Sequence, residues 1–100
     1  MKSGYKILWS DHALSELKET IEYLEEKWSD KEIKNFAREL DHTIELISKN
    51  PELFQASKNK KAVRRAVILK LNSLYYRKQD DVIEILSFFS NRKKPDNLNL

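Results

Sequence analysis

The stretch KWSDKEIKNFARELDHTIELISKNP, residues 27–51, decides the architecture of this chain. It contains a capping-box pattern, in which the Ser29 side chain accepts from the backbone three residues on and Glu32 reaches back, so a helix begins here. Asn50 and Pro51 end that helix, because Asn tolerates a left-handed conformation and Pro disfavours helix at the preceding residue. Between these signals apolar residues recur at helical spacing, namely Ile33, Phe36, Ala37, Leu40, Ile44 and Ile47.

A second apolar stripe lies immediately upstream of this helix. Ser10 is a predicted N-cap, and the Glu residues that follow it are predicted to face solvent. Two long helices separated by only a residue or two must fold back as an antiparallel hairpin, with both stripes facing a shared core. The members of the upstream stripe are Leu14, Leu17, Ile21, Leu24 and Trp28.

Outside the hairpin the periodicity changes to that of β-strands. Residues 5–9 predict a first strand, and residues 62–69, 74–78 and 82–89 predict three more, joined by short turns near 70–73 and 79–81. The last strand is apolar on both faces and is therefore predicted to be central. Strict alternation places Phe88 with Val82 on one face and Phe89 with Ile83 and Ile85 on the other.

These elements predict an α+β fold with the order β-α-α-β-β-β, in which a two-helix antiparallel hairpin packs on a small, mainly antiparallel sheet. A chain of 100 residues, 40% of them hydrophobic, supports one core. We therefore expect a single domain over residues 1–95 and a frayed tail at 96–100.

Composition also restricts the function. The single Gly argues against phosphate-binding loops and dinucleotide turns, and the absence of Cys removes thiol nucleophiles and thiolate metal sites. No stretch approaches the roughly 18 apolar residues of a membrane span, and the first residues lack an apolar signal-peptide core. We therefore expect a cytoplasmic protein that has no membrane segment.

The formal net charge of +3 is unevenly distributed. Residues 1–57 hold 8 Lys and Arg against 12 Asp and Glu, a net charge of −4. Residues 58–100 hold 11 against 4, a net charge of +7. A basic half of this kind attracts an acidic protein or a nucleic acid, and the alternative is that its Lys and Arg keep a sheet edge soluble.

The side chains of the basic half favour binding of anions over metal chemistry. His12 and His42 lack metal-ligand spacing, so neither a metal site nor a cofactor is predicted. Arg64 and Arg65 are adjacent on a predicted strand and must point to opposite faces of the sheet. Arg and Tyr side chains on one face could hold phosphates and stack bases.

Taken in order, several short segments resemble the RelE/ParE superfamily of bacterial type II toxins, and the ParE side more than the RelE side. The resemblance runs from residue 5 to residue 95. The long hairpin, and Ser90 at a position where many relatives carry His, favour the ParE side. The segments are Tyr5 to Ser10 with Ala13 and Leu17, then Leu46 with Asn50 and Pro51, then Val63 to Arg65, then Leu74 to Arg77, and finally Ile85 and Leu86 followed by residues 89–95.

The resemblance implies a toxin that is neutralised in a hetero-oligomeric complex by a cognate antitoxin encoded by a neighbouring gene. A ParE-like toxin inhibits DNA gyrase without known nuclease activity, and target or antitoxin contacts are then predicted at Arg64, Arg65, Arg77 and Arg92. The alternative is a RelE-like enzyme that acts on the ribosome and cleaves mRNA, with Arg64 and Arg77 stabilising phosphate charge and Tyr76 transferring a proton. A third alternative is a family member that has lost its toxicity.

Overall fold

A computed structural model describes residues 4–57 and 62–92. The elements are β1 (Lys6–Trp9), α1 (Asp11–Lys27), α2 (Asp30–Lys49), β2 (Arg64–Ile68), β3 (Asn72–Gln79) and β4 (Val82–Ser90). The four strands form one sheet in the order β1-β4-β3-β2, in which β1 runs parallel to β4 and the other neighbours are antiparallel. The predicted α+β fold and the central position of β4 are confirmed, while the predicted tail at 96–100 lies outside the described residues.

Both predicted helix starts are capped by their serines. The Ser10 hydroxyl accepts from the backbone N–H of Ala13 at 3.0 Å, and Ser29 and Glu32 form the complete capping box. The two helices are separated by Trp28 and Ser29 alone, so they fold back as the predicted hairpin. Their buried faces pack with the sheet in one core.

The predicted apolar stripe of α1 is confirmed except at its first member, and its other members, Leu17, Ile21, Leu24 and Trp28, belong to the core or pack against it. Leu14 remains 47% exposed, whereas its neighbour Ala13 is fully buried and is followed on the same face by Thr20 and Leu24. Ala37 of α2 is likewise exposed beside the buried Phe36. Both errors have the same cause: an apolar residue at the margin of a helical stripe can lie on either side of the core boundary.

One extra residue in β4 changes which aromatic side chain faces the helices. The register with β3 passes from Tyr75↔Ser87 to Tyr76↔Ile85, so Leu86 is left without a partner, as in a β-bulge. Phe88 therefore packs in the core beneath the helices, and Phe89 packs in a smaller cluster with Tyr75. The strict alternation predicted for this strand was wrong because the bulge displaces every later side chain by one position.

Beyond the end of β1, side chains supply hydrogen-bond partners to the backbone of β4. β1 pairs with β4 only as far as Ile85. The Ser10 hydroxyl then donates to the carbonyl of Leu86 at 3.2 Å, and Oε1 of Glu16 accepts from the Phe88 N–H at 2.8 Å and from the Ser87 hydroxyl at 2.7 Å. Glu16 is therefore a partly buried structural residue, and the prediction that all Glu residues of this helix face solvent was wrong for it.

The only glycine in the sequence lies at a close approach between β1 and α2. Tyr5, the residue after Gly4, exchanges hydrogen bonds with Ser48: its N–H donates to the Ser48 carbonyl and its carbonyl accepts from the Ser48 hydroxyl, both at 2.8 Å. A Cβ at Gly4 would clash with Oγ of Ser48. In the described ranges, neither helix is long and apolar enough to cross a membrane.

The β2–β3 turn occupies residues 69–71, where the sequence predicted a turn near 70–73, and it is strained. The Leu71 N–H donates to the Ile68 carbonyl at 2.8 Å, and the two central residues, Leu69 and Lys70, have φ values of 50° and 63°. Positive φ at both central positions is the pattern of a type I′ turn, which favours Asn and Gly. A left-handed conformation costs other residues roughly 1–2 kcal/mol each.

We expect Lys70→Gly to increase the free energy of unfolding by about 1 kcal/mol, because Gly adopts positive φ without a Cβ clash. Urea denaturation followed by circular dichroism measures the change. Asp81→Gly is the control, since Asp81 lies in the other hairpin turn and has no positive φ. Equal stability changes in the two variants would contradict the assignment of strain to the β2–β3 turn.

Candidate functional site

The sheet divides the predicted Arg residues between its two faces. Arg64 lies opposite Tyr76 in the β2–β3 register, and Tyr76 belongs to the core beneath the helices. Arg65 lies opposite Tyr75, which belongs to the smaller cluster on the other side. The prediction that Arg64 and Arg65 point to opposite faces is confirmed.

On the helix-facing side, Tyr76 is fully buried and its hydroxyl is occupied. The hydroxyl donates to the carbonyl of Pro51 at 2.7 Å. Burial raises the pKa of Tyr76 from 10.0 to about 12, although the nearby Arg64 charge acts in the opposite direction. A hydroxyl that is held away from solvent with a raised pKa is poorly suited to transfer a proton to or from a substrate at neutral pH.

Arg64 lies beside Tyr76 at the wall of a cavity. Its Nη1 donates to the carbonyl of Phe54 at 2.6 Å, so the guanidinium is anchored to the segment that follows α2. Lys78, two residues after Tyr76 on the same face of β3, carries its ammonium 5.3 Å from the centre of the Tyr5 ring. The cavity has a volume of about 250 Å³ and is lined by Pro51, Glu52, Ala62, Arg64, Tyr76 and Lys78.

The face of the sheet away from the helices carries Arg65 and Arg77. Nε of Arg65 donates to the Ser73 hydroxyl at 3.0 Å. Arg77 forms an ion pair with Glu84, in which Nε and Nη2 lie 3.0 and 2.9 Å from Oε1. This face also carries exposed apolar side chains: Leu8 of β1 is 46% exposed and Val67 of β2 is 44% exposed.

Arg92 lies at a third place, at the end of β4. Its guanidinium carbon is 3.7 Å from the centre of the Tyr23 ring, a cation–π contact that joins the end of the sheet to α1. Ser90, at the position where many members of the resembled superfamily carry His, is buried, and its hydroxyl accepts from the Arg92 N–H at 3.3 Å. The four Arg residues predicted as contacts therefore occupy three separate surfaces.

Two contributors to these surfaces escaped the sequence-based prediction. Lys78 is one of the 11 Lys and Arg residues of the basic half, and its spacing of two residues from Tyr76, which places both side chains on one face of the strand, could have assigned it to the site. Glu52 has no local signal, because only the fold brings the end of α2 over β3. Within residues 4–57 and 62–92 there is no group of three or more His, Asp or Glu that could hold a metal ion.

Comparison with known proteins gives the family. The model of a protein family described as "ParE toxin of type II toxin-antitoxin system, parDE" matches residues 7–95. The chain belongs to the ParE toxin family. It is thus a toxin of the type II toxin-antitoxin class, a class in which the toxin has an antitoxin partner.

Two solved structures are similar to this ParE family member in fold. A chain from the chromosomal ParDE toxin-antitoxin system of P. aeruginosa has a TM-score of 0.71 at 12% sequence identity, and the match covers 89% of this chain and 98% of that one. A conserved hypothetical protein from Helicobacter pylori has a TM-score of 0.53 at 20% identity, covering 89% and 97%. No curated protein sequence matches the chain significantly.

The Tyr76 hydroxyl makes a testable contribution to the stability of this ParE family member. We expect Tyr76→Phe to lower the free energy of unfolding at pH 8 by about 1 kcal/mol, because the Pro51 carbonyl loses its donor. The folded-state pKa of Tyr76 lies above the unfolded value, so the stability tied to its proton is complete below pH 10 and is lost as the pH rises toward 12.

Urea denaturation at pH 8, 10 and 11.5 measures both effects. The wild-type protein should lose about 2 kcal/mol more than Tyr76→Phe over this range. Tyr75→Phe is the matched control and should retain the wild-type pH dependence, since Tyr76 is intact. Parallel pH profiles for wild type and Tyr76→Phe would contradict the raised pKa.

Proposed function

We propose that this chain inhibits DNA gyrase in the cytoplasm by direct protein binding and is neutralised by an antitoxin encoded by a neighbouring gene. Membership of the ParE toxin family over residues 7–95 is the observation that carries the proposal. Binding also suits the positions of Arg64, Arg65 and Arg77, which are held on hydrogen-bonded strands of the sheet.

The environment of Tyr76 supports binding over cleavage of RNA. A general acid or base must lie within hydrogen-bonding reach of the substrate and titrate near the working pH. Tyr76 is fully buried, donates to a backbone carbonyl and has a pKa raised to about 12. Arg77, the second residue predicted to stabilise phosphate charge, is paired with Glu84 on the opposite side of the sheet.

The face of the sheet away from the helices suits the antitoxin. Arg65 and Arg77 lie on this face together with the exposed apolar side chains of Leu8 and Val67. An acidic amphipathic segment, of the kind that antitoxins of such systems present, would match both the charge and the apolar surface. Because Arg77 pairs with Glu84, this face is not uniformly basic. Such a face favours a peptide that carries both acidic and apolar side chains over the phosphate backbone of a nucleic acid.

We expect the purified toxin to inhibit supercoiling of relaxed plasmid by gyrase and to change the level of gyrase–DNA cleavage complexes, because the toxin binds the enzyme directly. Addition of the antitoxin should restore supercoiling. In cells, induction of the toxin alone should stop incorporation of labelled thymidine before that of labelled methionine.

Unchanged supercoiling and cleavage-complex levels at toxin concentrations above those of gyrase would contradict the proposal. Ribosome-dependent cleavage of mRNA in phase with codons, abolished by Arg77→Ala, would replace it with the RelE-like alternative. If overexpression without the antitoxin leaves growth unchanged, the chain has lost its toxicity.

We expect Arg65→Ala and Arg77→Ala each to weaken binding of the antitoxin about tenfold at low salt, because the first removes a cation that faces the acidic segment and the second leaves the Glu84 carboxylate unpaired there. Isothermal titration calorimetry at 50 and 500 mM NaCl measures the change, and the difference from wild type should shrink at high salt. Arg38→Ala on the exposed surface of α2 is the control with the same change in charge. Affinities that do not distinguish the three variants would place the antitoxin elsewhere.

A further inference from the structure

The cavity between the end of α2 and β3 has an unusual charge arrangement. Arg64 and Lys78 both line it, and neither forms an ion pair with a carboxylate in the described part of the chain. Arg77 on the other face of the same sheet is neutralised by Glu84 at 2.9 Å. The cavity therefore holds two cationic side chains whose charge is not balanced by an ion pair among the described residues.

The strand register explains why these groups meet. Arg64 lies directly opposite Tyr76, and Lys78 follows Tyr76 by two residues, so all three project from one face near the edge of the sheet. Tyr76 and Pro51 both line the cavity, and the Tyr76 hydroxyl donates to the Pro51 carbonyl at 2.7 Å. A hydrogen bond that involves no ligand thus fixes the position of Tyr76 relative to Pro51.

Arg64 is held in place but retains capacity to bind. Its Nη1 donates to the Phe54 carbonyl at 2.6 Å, which fixes the position of the guanidinium. A guanidinium has five N–H donors, so most of them are left for another acceptor. Pre-positioned donors of this kind bind an anion without a large loss of side-chain entropy.

The size and charge of the cavity suit a small anionic group. Its volume of about 250 Å³ is below the roughly 300–1,000 Å³ typical of sites for drug-sized ligands. Glu52 contributes one negative charge to the lining, so Arg64, Lys78 and Glu52 together carry a formal charge of +1. A single carboxylate balances that charge and fits the volume, whereas a polynucleotide is too large to enter.

We propose that this cavity receives the carboxylate of an Asp or Glu side chain from an acidic partner segment, with Arg64 and Lys78 as its two cationic contacts. The proposal rests on the antitoxin partner of the proposed function and assigns it a second contact, on the helix-facing side of the sheet. Leu53, which follows Glu52 in the chain, is 52% exposed and offers the same segment an apolar side chain to contact.

The first test uses a small probe and does not depend on the antitoxin. N-acetyl-glutamate methylamide is titrated into the toxin while the amide signals of Ala62, Arg64 and Lys78 are followed by NMR. We expect saturable shifts that weaken at high salt, no shifts with the neutral glutamine analogue, and loss of binding in Lys78→Gln. Equal shifts with the glutamine analogue, or tighter binding of inorganic phosphate or a dinucleotide, would overturn the proposal.

The second test measures affinity for the antitoxin. Lys78→Gln and Arg64→Gln should each weaken binding at least about tenfold, while Lys34→Gln on the exposed surface of α2 should leave it unchanged. Because Lys78 is exposed, its replacement keeps the test valid even if Arg64→Gln disturbs the fold. An antitoxin that binds wild type and both variants equally overturns the cavity assignment alone. An antitoxin that does not bind wild type overturns the proposed function, while the probe titration still decides the cavity.

Discussion

The bulge at Leu86 in the central strand is the constraint on which the rest of the structure depends. It turns Phe88 toward the helices, where its ring centre lies 5.9 Å from that of Trp9 and 6.1 Å from that of Phe36, both in edge-on geometry. One aromatic side chain thereby connects β1, β4 and α2. Regular alternation would place Phe88 on the other face of the sheet and remove the contact that holds the hairpin against its centre.

The same strand also determines how α1 is attached. β1 ends at Trp9, which leaves the backbone of β4 beyond Ile85 without a strand partner on that side. At the start of α1, the Ser10 hydroxyl donates to the Leu86 carbonyl and the Glu16 carboxylate accepts from the Phe88 N–H. A buried backbone N–H without a partner is unfavourable, so these two polar side chains fix the helix at a defined position along the sheet edge.

The basic residues on the two faces of the sheet have different surroundings. On the face away from the helices, Arg65 and Arg77 are engaged by Ser73 and Glu84 beside exposed apolar side chains. On the helix-facing side, Arg64 and Lys78 line a cavity above the buried Tyr76. Both arrangements suit recognition of an acidic polypeptide, and the buried, hydrogen-bonded hydroxyl of Tyr76 is poorly suited to proton transfer, which is why we favour a toxin that acts by binding.

Local signals in the sequence determined the helical hairpin, the order of the elements and the opposite orientations of Arg64 and Arg65, because caps, helical periodicity and strand alternation act over a few residues. The basic character of the second half was also evident from the sequence. Only the tertiary structure decided that Leu86 forms a bulge, that Glu16 serves a strand edge and that Lys78 joins Arg64 at a cavity. Each of these features depends on which residue lies opposite another in space, and the pairing of distant segments is set by packing of the whole core rather than by neighbours along the chain.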